Sequence, residues 1–70
     1  MEVFDQIKEI GQMVRQIRLG KNISQKKLSE MCGVPANTIS MFERNKLAPS
    51  LDTLLRILDA LGYKLDIAVK

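Results

Sequence analysis

Apolar residues fall along this chain first at helical intervals and then, near its end, at alternating ones. Phe4, Ile7, Ile10, Val14 and Ile17 are three or four positions apart, so residues 4–20 are predicted to form a helix with one buried stripe, widened by Met13 and Leu19. Gly11 lies inside that helix, where a glycine either lets the first turns fray or admits a neighbouring backbone. Gly20, Lys21 and Asn22 supply the stop, because Gly and Asn accept the left-handed conformation of a helix C-terminus. Leu28, Met31 and Cys32 give a second helix its apolar side over residues 24–32, with Ser24 as N-cap, Lys26, Lys27 and Glu30 outward and Gly33 at the end. Val34 is apolar within the turn and should plug into the core. Pro35 sits where a third helix starts, over residues 36–44, with Ile39 and Phe42 inward. Pro49 bars helix through the loop at 45–50. Ser50 then caps a fourth helix over 51–61, whose buried face should be Leu51, Leu54, Leu55, Leu58 and Leu61, with Gly62 just beyond it.

The period changes at Tyr63. Leu65, Ile67 and Val69 alternate with Lys64, Asp66 and Ala68, the pattern of a strand. No other strand is predicted for it to pair with, and a lone strand leaves its backbone groups unpaired. A second copy of the same segment would supply the partner through a two-fold antiparallel ribbon, which makes Leu65, Ile67 and Val69 the candidate dimerisation residues. A frayed tail and a short fifth helix are the alternatives. The expected organisation is therefore mainly α: a helical unit over residues 1–62, then a dimerisation strand over residues 63–70.

Length and composition narrow the function. Seventy residues make one domain with a limited core, so a second chain is a plausible source of buried surface. Cys32 is the sole cysteine and histidine is absent, which rules out an internal disulfide and leaves no metal site to expect. No apolar run reaches the roughly 18 residues of a membrane helix. The first residues, MEVFDQIKEIG, carry acids where a secretory signal would carry a basic and then an apolar region, so the cytoplasm is the expected compartment. There is no paired general acid and base, no nucleophile beside a base and no phosphate-binding loop. Neither catalysis nor a cofactor is expected.

Charge adds a direction. The net charge is +3, but residues 15–46 hold seven of the basic side chains and only two acids, Glu30 and Glu43, while the remainder is net acidic. A phosphate-facing surface needs such a cluster, although an ordinary solvated helical face could also produce it.

The cluster coincides with two short helices joined at a glycine, the helix-turn-helix shape, whose second helix can enter the DNA major groove. The pattern Ile23-Ser24-Gln25, Leu28, Gly33-Val34, Ile39-Ser40 and Phe42-Glu43-Arg44 resembles the Cro/C1-type (XRE) helix-turn-helix family over residues 10 to 61. A strand after the Leu-rich helix is similar to its HipB-type antitoxin branch. The resemblance implies a four-to-five-helix, lambda-repressor-like fold that binds double-stranded DNA as a homodimer. It also implies an operator-binding repressor, associated with the nucleoid when on DNA, and, within the antitoxin branch, a HipA-like toxin kinase as a further partner. Ala36, Asn37, Ser40 and Met41 match its base-facing positions. An asparagine amide can pair bidentately with adenine, a serine can bond several bases, and Ala36 could meet a thymine methyl. Met41 departs from the polar residues usual at its position and either touches a methyl group or reads nothing. Gln25 matches a position that bonds a phosphate and braces the recognition helix. Ser24, Lys26, Lys27, Thr38, Arg44, Asn45 and Lys46 are the other candidate phosphate contacts. Glu43 would repel phosphate if exposed, but the family pairs this position with an arginine of the first helix, which here is Arg18. The alternative is two separate surface charges. Two other functions remain open on the same fold: a protein-interaction module without sequence-specific DNA binding, and an activator of the kind that controls restriction–modification genes.

Overall fold

The computed structural model describes residues 2–69. Four helices follow one another: α1 Val3–Gly20, α2 Gln25–Cys32, α3 Ala36–Glu43 and α4 Leu51–Ala60. Helix α3 lies against both α1 and α2, and α4 packs on α2. Their shared core is Val14, Leu28, Val34, Ile39, Phe42, Ile57, Leu58 and Leu61. Val34 is buried, so the turn between α2 and α3 is pinned by its own side chain.

The helix ends follow from local chemistry. Ser24 and Ser50 accept hydrogen bonds from the backbone N–H groups of Lys27 and Thr53, satisfying donors that a first helical turn leaves open. Three of the four helices close in one way. The N–H two residues past the helix cap returns to the carbonyl five residues earlier: Ile23 to Arg18 at 3.0 Å, Lys46 to Met41 at 2.8 Å and Tyr63 to Leu58 at 2.8 Å. Each closure places its middle residue, Asn22, Asn45 or Gly62, at positive φ. The role of Asn45 was not anticipated. The sequence points to it as a loop residue and a candidate phosphate contact, yet it is also the left-handed residue that ends α3.

Gly11 decides how closely α1 and α3 approach. A Cβ there would sit 2.7 Å from the carbonyl oxygen of Phe42, a backbone atom that can give way only if the helices shift. The glycine therefore admits a neighbouring backbone, and α1 runs helical through it.

Several expected core positions are corrected. Leu51 and Leu55 are exposed, while Ile57 is completely buried. The true stripe of α4 is Leu54, Ile57, Leu58 and Leu61, a helical repeat rotated from the expected one. Phe4, Met13, Leu19 and Met31 are also exposed. The α1 stripe carries more apolar side chains than its neighbours can cover, and its first turns extend past them.

Residues 63–69 form no strand and no fifth helix in the single chain. Ile67 and Val69 are 92% and 99% exposed. The physical reason is the one that makes an isolated strand unstable: no second strand lies within the described residues to complete a ladder.

Candidate nucleic-acid interface

The placement of α3 depends on a carboxylate turned inward. Glu43 closes the helix with its side chain 1% exposed, and Arg18 meets it from α1 with its side chain 8% exposed. The guanidinium bonds both carboxylate oxygens, Nε to Oε2 and Nη2 to Oε1, each at 2.8 Å. That two-point geometry fixes direction as well as distance. Its third nitrogen, Nη1, donates to the carbonyl of Ile23 at 2.9 Å, so the same side chain also ties down the linker into α2. Hydrogen bonding to Glu43 raises the Arg18 pKa above the ordinary arginine value, and the nearby negative charge adds to this; burial opposes both. The alternative of two independent surface charges is excluded by the burial and by the bonds.

Gln25 joins from α2, its Nε2 donating to Glu43 Oε1 at 3.1 Å. Gln12 of α1 donates to the backbone carbonyl of Glu43 at 3.0 Å, satisfying an acceptor that the last turn of α3 leaves open. Glu43 of α3 is therefore held by side chains from both α1 and α2. The contribution of Gln12 was missed. The signal that could have found it is its neighbour Gly11, which marks where α3 comes closest.

The opposite side of α3 faces outward. Asn37 is exposed, and Ala36, Thr38, Ser40 and Met41 are half-buried at the rim. Asn37 Nδ2 donates a long bond of 3.7 Å to the Met41 sulfur, which leaves the amide its carbonyl and its second N–H. Lys26 and Lys27 stand exposed on one flank, and Arg44 and Lys46 stand exposed beyond the helix end. Ser24 is exposed and its hydroxyl oxygen already serves as the α2 cap. Asn45 is turned partly inward, with a buried carboxamide oxygen that has no hydrogen-bond partner among the described residues. The expected base-facing residues of α3 and the basic residues of α2 and of the loop after α3 thus all reach the surface in full or in part, while Gln25 is half-buried against Glu43.

A family model described as Helix-turn-helix matches residues 14–67. The chain belongs to the Cro/C1-type (XRE) helix-turn-helix family of DNA-binding transcriptional regulators. Among its relatives is control protein C.BamHI of Bacillus amyloliquefaciens, 49% identical over 55 residues, a match covering 77% of this chain and 68% of that protein. The HTH-type transcriptional regulator PuuR of Escherichia coli is 31% identical over 55 residues, covering 79% of this chain and only 30% of PuuR. The PuuR of Shigella flexneri matches to the same extent. The match therefore spans less than a third of the length of PuuR. Among the described residues no helix is long and apolar enough to cross a membrane.

Proposed function

We propose that this family member acts as a dimeric, sequence-specific repressor at a palindromic operator. The observation that carries the reading is the two-sided character of α3: Glu43 is locked inward by Arg18 and Gln25, while Asn37 faces solvent amid exposed Lys26, Lys27, Arg44 and Lys46. In this reading Asn37 and Ser40 read base edges, Ala36 and Met41 meet apolar groups such as a thymine methyl, and Asn37 pairs with adenine through its carbonyl and its free N–H. Lys26, Lys27, Arg44 and Lys46 neutralise phosphates, joined by Thr38, by Asn45, by the Ser24 hydroxyl and by the second N–H of Gln25. The unit spans residues 1–62, and residues 63–70 pair across the dimer through Leu65, Ile67 and Val69. Two copies would set their recognition helices about 34 Å apart, one turn of DNA. The protein would work in the cytoplasm, on the nucleoid.

A second reading draws on the control-protein relative: the same binding act regulates the genes of a restriction–modification system, as repressor or activator according to where the operator lies. The antitoxin reading, with a HipA-like toxin kinase as partner, has the alternation of the tail alone behind it.

Selection of bound duplexes from a random pool, with sedimentation to give the oligomer mass, tests the proposal. The expected result is a dimer and a palindromic consensus. Asn37→Ala should lose preference at one base pair of each half-site by about 1–3 kcal/mol while keeping non-specific binding. Lys27→Ala should weaken binding to all sequences and reduce the salt slope by about one. A monomer with no consensus would sink the reading, and a chain that shifts no duplex at low salt would instead be a protein-interaction module.

A further inference from the structure

The tail leaves α4 in a defined direction, because the N–H of Tyr63 is bonded to the carbonyl of Leu58. It then forms part of the lining of a groove of about 130 Å³, in which Tyr63, Lys64, Leu65 and Asp66 meet Ile10, Met13, Ile17 and Leu58. Met13 of the groove wall is 60% exposed, and Ile67, the next residue after the lining, is 92% exposed. The apolar surface is thus continuous from the body of the fold into the tail.

We propose that a second copy of this chain docks here in one register, an antiparallel ribbon with its two-fold axis at Leu65. The inference rests on the dimer reading above and deepens it by fixing which residues meet. Charge selects the register. In an antiparallel pair, residues directly opposite share a face. With the axis at Leu65, Lys64 faces Asp66 of the second copy and Asp66 faces its Lys64, so both pairs are complementary. Moving the axis to Asp66 sets Asp66 against itself, moving it to Lys64 sets Lys64 against itself, and moving it to Ile67 sets Asp66 against Ala68 and forfeits both lysine–aspartate pairs. A slip by half a step puts Leu65 opposite Asp66 and mixes the apolar and charged faces. An in-register parallel pair would oppose lysine to lysine and aspartate to aspartate. The axis at Leu65 also lays Ile67, 92% exposed in the single chain, opposite Tyr63 of the other copy; it narrows the pairing to residues 63–67, so that Val69, counted in the dimer reading, falls beyond the ribbon.

Charge reversal tests this, read by sedimentation so that any effect of Lys64 on DNA affinity does not enter. K64E makes the tail acidic at both positions, and D66K makes it basic at both. Each variant alone should dimerise about tenfold more weakly than the parent, since two attractive cross-strand pairs become repulsive. Mixed in equal amounts, the two should form a heterodimer as tight as the parent homodimer. In a Cys32→Ser background, L65C should cross-link to itself on mild oxidation, because directly opposite strand residues lie within disulfide reach, whereas V69C should not. Variants that dimerise like the parent, or a mixture that gains nothing, would overturn the register while leaving the dimer intact. A parent chain that stays monomeric at all concentrations would overturn the dimer reading and this inference together.

Discussion

The helix-turn-helix unit at 24–44 and the tail at 63–69 carry comparably clear apolar patterns, yet only one of them is built in the single chain. In the first, Leu28, Val34, Ile39 and Phe42 are buried in the common core, and the inward acid is matched by an arginine. In the second, every described residue is exposed, and although Tyr63 and Leu65 line a groove with α1 and α4, Ile67 and Val69 are 92% and 99% exposed. A pattern states what a segment has to bury. Whether it is buried depends on where the complementary surface lies, and residues 2–69 cover the tail's alternating face only in part.

The sharpest way to break the contrast is to unseat α3. Glu43→Ala leaves the Arg18 guanidinium buried with only the Ile23 carbonyl as acceptor, at an expected cost of about 3–5 kcal/mol, measured by denaturant unfolding. A loss under about 1 kcal/mol would mean that water reaches the pair and that α3 is seated by packing alone. The pair should show no titration near neutrality on the arginine side. Its raised pKa makes the arginine's contribution complete below the ordinary arginine range, and that contribution is lost only as pH rises beyond it.

Gly11→Ala should come next. The added methyl meets the Phe42 carbonyl oxygen at 2.7 Å, so the helices must part. Overpacking of this kind costs about 1–3 kcal/mol, offset in part by the roughly 1 kcal/mol by which alanine is the better helix former. A stabilised variant would show that α1 and α3 can separate freely.

Ile67→Asp should do least to the fold. At concentrations where the chain is monomeric, its unfolding free energy should stay within about 0.5 kcal/mol of the parent, because the side chain it replaces touches little. The effect should appear in sedimentation as lost self-association. A large loss of monomer stability would place the tail among the elements the fold depends on.

Much of this was legible in the residues. Ser24, Gly33, Ser50 and Gly62 mark helix ends through chemistry that acts within a few positions. Arg18 and Glu43 were paired by family resemblance, since two charges 25 positions apart give no local sign of meeting. The phase of α4 was not legible. Leu51, Leu54, Leu55 and Leu58 make one helical stripe, and Leu54, Ile57, Leu58 and Leu61 make another, so only the neighbouring helices choose between them. The helix-ending role of Asn45 was not legible because asparagine serves loops and left-handed helix ends alike. Gln12 resembled any solvated glutamine until the approach of α3 was seen.

The seating of α3 has a consequence for how such a protein changes over generations. The residues that hold the helix, Ile39, Phe42 and Glu43, are buried, and none of them belongs to the set proposed to meet bases, Ala36, Asn37, Ser40 and Met41. Substitutions in that second set alter what is recognised without disturbing how the helix is mounted. New binding preferences are then reachable by single steps, each passing through a protein that still folds.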